Sequence, residues 1–355
     1  MSALDTLFFR DGKPFSIGEE SWAEGVFPPF PPVFYGALRT AYFAANNHEF
    51  AKAGQEKDDP TLKLEIKNIY LKSDVNSLFP MPLDCVKENG RDKNSYHLLE
   101  SKKVNDFDCA VSNNSTQYVL SLPDGVSKGK TLEGINNMLL DRMQLVSYLQ
   151  SEKIIRAYHL KDFISKEAKV GIGRDRFTSS SADTGQLYRT NMSRPATLYA
   201  SLSMVVEFSG LDLSRTSLIK LGGEGKSVSC SKDSCISIAF PKVNEESEEF
   251  FKIYLATPAI FKDGWYPKLE NVEILAAAVG RSVPVGGFNL KSKYEDGKWK
   301  QFPKPLRYAV PAGSVYYCKG KMLDAIGKYH GKTISEERGK EGFGIAYIGK
   351  LSMEA

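Results

Sequence analysis

Groups able to do covalent chemistry are scarce in this chain. Among 355 residues there are four histidines and five cysteines. His48, His97, His159 and His330 stand apart, and none forms a His-x-x-x-His pair that a helix could aim at one metal ion. Cys230 and Cys235 lie near each other, but no second Cys or His pair completes a zinc site. With Cys85, Cys109 and Cys318 they make an odd count that lacks the spacing of a disulfide framework, which points to a reducing, cytoplasmic setting. No apolar run approaches the roughly 18 residues of a membrane span. The opening Met-Ser-Ala-Leu-Asp has neither the basic nor the apolar segment of a secretory signal. No membrane partner, metal or cofactor is expected, and no serine nucleophile on a strand-to-helix elbow.

An excess of one charge is missing too. Lys and Arg total 47 against 43 Asp and Glu, so net charge alone nominates no polyanionic partner. Distribution says more. From Arg281 to Arg307 the bases are Arg281, Lys291, Lys293, Lys298, Lys300, Lys304 and Arg307, opposed only by Glu295 and Asp296. Lys293-Tyr294-Glu295-Asp296-Gly297-Lys298-Trp299 also reads as a turn, so a solvated hairpin tip explains the same residues.

Two glycine clusters imitate nucleotide sites and fail on spacing. Gly225-Lys226-Ser227 ends like a P-loop, but the glycine needed five positions earlier is Lys220. Gly342-Phe343-Gly344 lacks the third glycine of a dinucleotide fingerprint, since Tyr347 stands there, and no helix pattern follows it.

Length predicts about two domains. Periodicity predicts a strand at Leu4–Phe9 stopped by Asp11-Gly12, a helix over Val33–Asn46 started by Pro31 and Pro32, and a strand at Leu64–Leu71. A strand at Thr197–Phe208, a short helix at Leu211–Leu218 and a strand at Ser227–Phe240, with Lys232-Asp233 as a candidate hairpin break, complete the order βαββαβ of a ferredoxin-like domain. Set aside as insertions are the polar stretch Phe79–Gly129 and a docking helix over Glu133–Gln150. Beyond the acidic patch Glu245–Glu249, strand-like runs at Phe250–Thr257, Val272–Val279, Tyr308–Tyr317 and Ile345–Leu351, with little helix, suggest a second, degenerate copy. The expected class is α+β: a domain at residues 1–241, with insertions at about 79–150 and a hairpin at about 165–194, then a domain at 242–355.

The hairpin carries the clearest binding chemistry. Lys169, Arg174, Arg176 and Phe177 on one arm face Tyr188, Arg189 and Arg194 on the other, across a tip rich in Ser, Thr, Asp and Gly. Guanidinium groups suit phosphates, and the aromatic rings suit exposed bases. A plain surface hairpin is the alternative.

Phe9-Arg10-Asp11-Gly12-Lys13-Pro14-Phe15, followed by Tyr35-Gly36-Ala37-Leu38-Arg39-Thr40, resembles the opening of the RAMP superfamily of CRISPR proteins, and within it the subunit-three family of type III-B (Cmr) effector complexes. The hairpin is a second match, and Val285-Gly286-Gly287-Phe288 with Val310-Pro311-Ala312-Gly313-Ser314 a third. The resemblance implies two ferredoxin-like (RRM-like) domains, with the hairpin as a thumb on guide RNA. It implies that glycine-rich loops at Gly222, Gly223 and Gly225 with Lys226, and at Gly342 and Gly344, offer backbone N–H groups to RNA phosphates, with Arg39 and Arg281 as further contacts. It implies a non-catalytic subunit that holds the 5′ handle of the crRNA, caps the backbone RAMP subunits and docks the large cyclase-like subunit. Two alternatives remain: an endoribonuclease of the superfamily using His48, which the residues themselves read as a helix-end cap, or a purely structural protein–protein adaptor.

Overall fold

The computed structural model describes residues 1–10, 22–23, 25–55, 57–74, 76–88, 95–103, 118–123, 126, 132–172, 180, 187–195, 202–214, 216–243, 250–293 and 299–351. It is an α+β protein of mostly antiparallel sheets. An eight-stranded sheet draws on residues 2–229, in the order 158–159, 138–141, 76–80, 65–73, 202–209, 2–3, 227–229, 218–220. A five-stranded sheet draws on residues 250–350, in the order 273–278, 315–319, 250–255, 345–350, 332–333.

Helix α1 (Pro31–Ala45) forms where expected, with prolines in its first turn, where their missing N–H groups cost nothing. It buries Phe34, Ala37, Leu38 and Ala41 against Ile66, Leu71, Leu78 and Leu139 of the large sheet. The neighbours Tyr70, Phe79 and Leu140 point the other way, into a core shared with Tyr254, Val315, Tyr317 and Tyr347 of the small sheet. Alternation with period two therefore makes these central strands apolar on both faces, and the large sheet is packed between α1 and the C-terminal half. Helix α3 (Met322–Tyr329), not anticipated, covers the outer face of the small sheet with Met322 and Ala325.

Several expectations are corrected. Glu133–Gln150 is not one helix: Leu132–Gly134 and Met138–Asp141 are strands joined through Asn137 at φ 59°, and only Arg142–Leu149 (α2) is helical. Asp141 is the reason, because its carboxylate accepts the Gln144 N–H at 3.0 Å and starts the helix there. Leu211–Leu218 forms no helix. Asp212 accepts the N–H of Ser214 at 2.9 Å in a local turn, the competing use of an Asp side chain. The βαββαβ order thus lacks its second helix. Ser227–Phe240 is a strand only over Ser227–Ser229. The rest crosses between the halves as a strap, with Ile236 N–H donating to Glu207 and the carbonyls of Ser237 and Ile238 accepting from Arg142 and His330. Leu4–Phe9 is bridged only at Leu7, to Ser193, and the regular strand is Ser2–Ala3. Tyr308–Tyr317 is two strands, Arg307–Ala309 and Val315–Lys319, parted by a turn at Gly313 with φ 89°. Phe79 belongs to the large sheet, so the insertion begins after it and consists of short hairpins at 85–88/95–98 and 100–103/118–121. The acidic patch Glu245–Glu249 lies outside the described residues.

Candidate nucleic-acid interface

Ile164–Ile172 pairs with Leu187–Pro195 as a nine-pair antiparallel arm, from Ile164 opposite Pro195 to Ile172 opposite Leu187, and most of the expected tip between them lies outside the described residues. From Ser165 to Val170 the first strand is exposed. Arg174, Arg176 and Phe177 lie outside the described residues. Strand alternation sorts the others. Lys169, Tyr188 and Arg194 share one face, and Arg189 is on the opposite one. Tyr188 lies across Gly171, where any Cβ would overlap its ring, so the glycine is what lets the aromatic lie flat on the arm.

The face bearing Lys169 and Arg194 meets the Gly222–Gly225 turn. This turn joins strands Leu218–Lys220 and Ser227–Ser229, closed by the Leu221 N–H donating to Lys226 O at 3.0 Å. Gly222 sits at φ 83° with its Cα hydrogen side pressed against Phe8 O, a place no L side chain fits. The Gly223 N–H donates to Phe8 O at 2.8 Å, so that amide is not available to a phosphate. Among the described residues the N–H groups of Gly222, Glu224 and Gly225 have no hydrogen-bond partner.

Three carboxylates that sequence reasoning missed tie arm and turn together. Asp5 receives Lys226 at 2.9 Å and Arg194 at 3.3 Å, Glu167 receives Arg194 at 2.5 Å, and Glu224 receives Lys169 at 3.3 Å. The hydrogen bond from Lys226, then that from the Thr6 backbone, holds the Asp5 carboxyl down at about 2. Arg194 likewise lowers Glu167. The only sequence signal for these acids was the diagonal placement of Glu167 and Arg194 on paired strands, which needs the register to be known.

The other candidate residues lie elsewhere. Arg39 is built into the fold: its Nε donates to Thr61 Oγ1 at 2.7 Å and its terminal nitrogen to Asp59 at 2.6 Å. Burial pushes the Asp59 carboxyl up, but hydrogen bonds from Thr61 and Gly54 and the Arg39 charge outweigh it and hold the group below its usual value. Gly342 and Gly344 flank Phe343 just before the strand Ile345–Lys350. Both are buried, and their N–H groups donate to Gly339 O at 2.9 Å and Pro258 O at 2.7 Å. At φ 96° and 70° they let this chain turn inside the core, with Ile66 and Ser335 where a Cβ would go. Arg281 is exposed at the root of a separate ribbon, where Lys304 pairs with Glu341 and Arg307 with Glu337, each at 2.8 Å. His48 is exposed on the short 3-10 helix Asn47–Lys52 after α1 and does not cap α1; Asn46 does, donating backbone and side-chain N–H groups to Tyr42 O.

No group of three or more metal-ligating side chains occurs among the described residues. Cys85, Cys230, Cys235 and Cys318 are free thiols. Gly125-Val126-Ser127-Lys128-Gly129 does spell the serine-elbow pattern, contrary to the expectation of none. Only Val126 of it is described, and the next described element is a strand at Leu132–Gly134 where an elbow requires a helix. No described helix is long and apolar enough to cross a membrane.

Fold and site together define an α+β scaffold with a long two-stranded arm fastened by ion pairs to a glycine turn. The sequence model of the CRISPR-associated protein (Cas_Cmr3) family matches residues 1–351, and the chain belongs to that family. No curated protein matches the sequence. Among solved structures, the chain is similar to one in "Cryo-EM structure of the Type III-B Cmr-beta bound to cognate target RNA and AMPPnP, state 1", with a TM-score of 0.51 at 15% identity over 89% of this chain and 84% of that one. A second match, in the same complex bound to cognate target RNA, has a TM-score of 0.47 at 15% identity over 89% and 85% of the two chains.

Proposed function

We propose that this chain is a non-catalytic, RNA-binding subunit of a type III-B (Cmr) CRISPR effector complex in the cytoplasm. In this reading it holds the 5′ handle of the crRNA, caps the backbone RAMP subunits and docks the large cyclase-like subunit. The two sheets then descend from ferredoxin-like units, the first without its second helix, and the arm is the thumb. Family membership and the likeness to the Cmr-beta chain support the setting.

The observation that carries the RNA reading is the ionic seam between arm and turn. Lys169, Arg194 and Lys226 are held in one place by Asp5, Glu167 and Glu224, and the Asp5 and Glu167 side chains are exposed at the surface. Phosphates can replace such solvated carboxylates at little cost, because exposed ion pairs contribute little to folding. The bases are thus pre-positioned without being committed.

Purification of the native protein with its partners should bring down short RNAs that share one 5′ sequence and crosslink to this chain. Assembly without any RNA crosslink to it would favour the adaptor reading. His48→Ala should leave crRNA maturation and target cleavage unchanged; lost cleavage in an intact complex would favour the endoribonuclease. At the arm's tip, replacing Arg174 and Arg176 together by Ala should weaken handle binding and flatten the slope of log K against log salt by about one unit or slightly more.

A further inference from the structure

The arm carries a strand edge that no other described strand covers. Ile164–Ile172 pairs with Leu187–Pro195 without a register break, and Leu187–Pro195 is flanked on its other side by Trp22–Ala23, so Ile164–Ile172 is the outermost strand of that sheet. Ser193 exchanges both its N–H and its C=O with Leu7, each bond 2.7 Å long. Lys166, opposite Ser193, therefore belongs to a pair without mutual backbone bonds. By the alternation of an antiparallel ladder, the same holds for Ala168 opposite Asn191 and Val170 opposite Arg189. Their N–H and C=O groups point away from the arm, and no described residue bonds to those of Ala168 or Val170.

Long regular edges are usually spoiled by a proline, a bulge or an outward charge. Here no proline stands between Ile164 and Ile172. Both lysines are engaged by their own chain: Lys166 Nζ donates to Gly25 O at 2.8 Å and to Ser193 Oγ at 3.2 Å, and Lys169 pairs with Glu224 at 3.3 Å. Val170 is 60% exposed. The edge alternates donors and acceptors. A nucleic-acid backbone brings acceptors only and leaves the carbonyls unpaired, whereas a polypeptide strand matches both.

The order of residues along the edge indicates which strand fits. Read outward from Ala168, the neighbours are Glu167 and Lys169, then Lys166 and Val170, then Ser165 and Gly171. A two-fold axis through Ala168 sets Glu167 of each copy opposite Lys169 of the other, twice over. At the axis two alanines meet as a backbone-bonded pair, with nothing larger than a methyl to accommodate. On the other face the aliphatic stem of Lys166 meets Val170 of the second copy. Axes through Lys166, Glu167 or Lys169 put like charges opposite each other, and one through Val170 pairs no opposite charges.

We propose that the outer edge of the arm, residues 165–171, is an interface between two copies of this chain, which pair antiparallel about Ala168 into one continuous sheet. The proposal goes beyond the RNA reading and does not need it. Glu167 and Lys169 belong to the ionic seam as well, so the test uses the full chain after nuclease treatment, free of RNA.

Sedimentation velocity over a micromolar concentration series should show a monomer–dimer equilibrium. Ala168→Pro removes the N–H at the axis, at a position where an edge strand accepts proline, and should be monomeric throughout with the parental circular dichroism. Glu167→Lys should raise the dimer Kd about tenfold or more, because two Lys–Lys contacts take the place of two ion pairs. Glu167→Lys with Lys169→Glu should recover most of that loss. The double variant still carries the clashes with Arg194 and Glu224 inside each copy, so pairing between copies is what predicts the recovery. This charge cycle also supplies the result if Ala168→Pro fails to fold. A parent that stays monomeric over the series overturns the proposal, as does a dimer that survives Ala168→Pro or a double variant no better than the single. A monomeric parent whose Ala168 and Val170 amides exchange slowly only when co-expressed partner subunits are bound would give the edge to a strand of another protein and overturn the second copy as its occupant.

Discussion

Two charged networks occupy opposite surroundings in this protein. Where the sheets meet, Asp84 is wholly buried and accepts the hydroxyls of Tyr148 at 2.8 Å and Tyr317 at 3.0 Å. Lys252, 3% exposed, sets its ammonium 3.6 Å above the centre of the Tyr148 ring. One tyrosine therefore separates the two charges, its hydroxyl toward the carboxylate and its π face toward the cation. Asp84 and Tyr148 come from the N-terminal half, Lys252 and Tyr317 from the C-terminal half. At the arm, Asp5, Glu167 and Glu224 meet Lys169, Arg194 and Lys226 in water. Desolvation makes the first network costly to break and leaves the second free to exchange partners. The first fixes how the halves seat, and the second is available for a ligand.

Breaking the buried network should have the largest effect. Lys252 sits in the small sheet's inward row with Tyr254, where its neighbours are apolar, and burial drives its pKa down while the Asp84 charge opposes that. Lys252→Met leaves the Asp84 carboxylate without its counter-charge and should cost about 3–5 kcal/mol in urea unfolding. Adding Asp84→Asn should restore much of that loss, since both charges are then gone. Simply additive effects in this cycle would show that the two groups are not coupled, and the contrast with the arm would collapse.

Gly344→Ala should come next. At φ 70°, with Ser335 N 2.5 Å from where the Cβ would be, the substitution should cost about 2 kcal/mol or more through backbone strain and overpacking. RNA affinity per folded molecule should be unchanged. A stable variant with weakened RNA binding would return this loop to the interface and undo its assignment to the core.

These two cases show what was legible beforehand. Helix α1 was readable from apolar residues at helical spacing, the arm from two extended runs around a Ser-, Thr-, Asp- and Gly-rich tip, and the strands Glu65–Ser73 and Leu202–Ser209 from their alternating or β-branched apolar residues. The Glu133–Gln150 stretch was not, because apolar residues at helical spacing also fit a strand that buries both faces and then a capped helix, and only Asp141 marks the change. The glycine clusters looked equivalent as sequence. One is a surface turn against the arm and the other an interior crossing, a difference set by tertiary packing on Phe8 and Ile66. The carboxylates of the arm seam were invisible because they come from residues 5, 167 and 224, which only the folded chain brings together.

The arm itself should show a smaller effect, confined to binding. Lys169→Ala with Arg194→Ala should flatten the salt slope for handle RNA by about 1.4 units, from roughly 0.7 per lost phosphate contact. The melting temperature should stay at the parental value, because both side chains are hydrated and their pairs are at the surface. A large drop in melting temperature would mean that the seam holds the fold, and the two networks would then differ in place only.

The smallest effect is expected from His330, which lies at the same junction as the buried network but carries no charge. Its Nδ1 accepts the Ile348 N–H at 3.1 Å, and its Nε2–H donates to Ile238 O at 2.9 Å, a pattern only the neutral ring can make. Burial lowers its pKa below 6.5, more than the bond donated to the Ile238 carbonyl raises it. The unfolded chain therefore takes up the proton first as pH falls. The contribution of the neutral ring is complete above about pH 6.5 and declines below it, toward the lower pKa of the folded state. The slope cannot exceed about 1.4 kcal/mol per pH unit and should be well under that for a ring partly open to solvent. His330→Gln keeps a donor for Ile238 and cannot titrate, so urea midpoints of parent and variant should diverge between pH 7 and 5, with the parent losing more. Parallel pH curves would show that the imidazolium is tolerated at this junction, and that burial there is less complete than the Asp84 and Lys252 network requires.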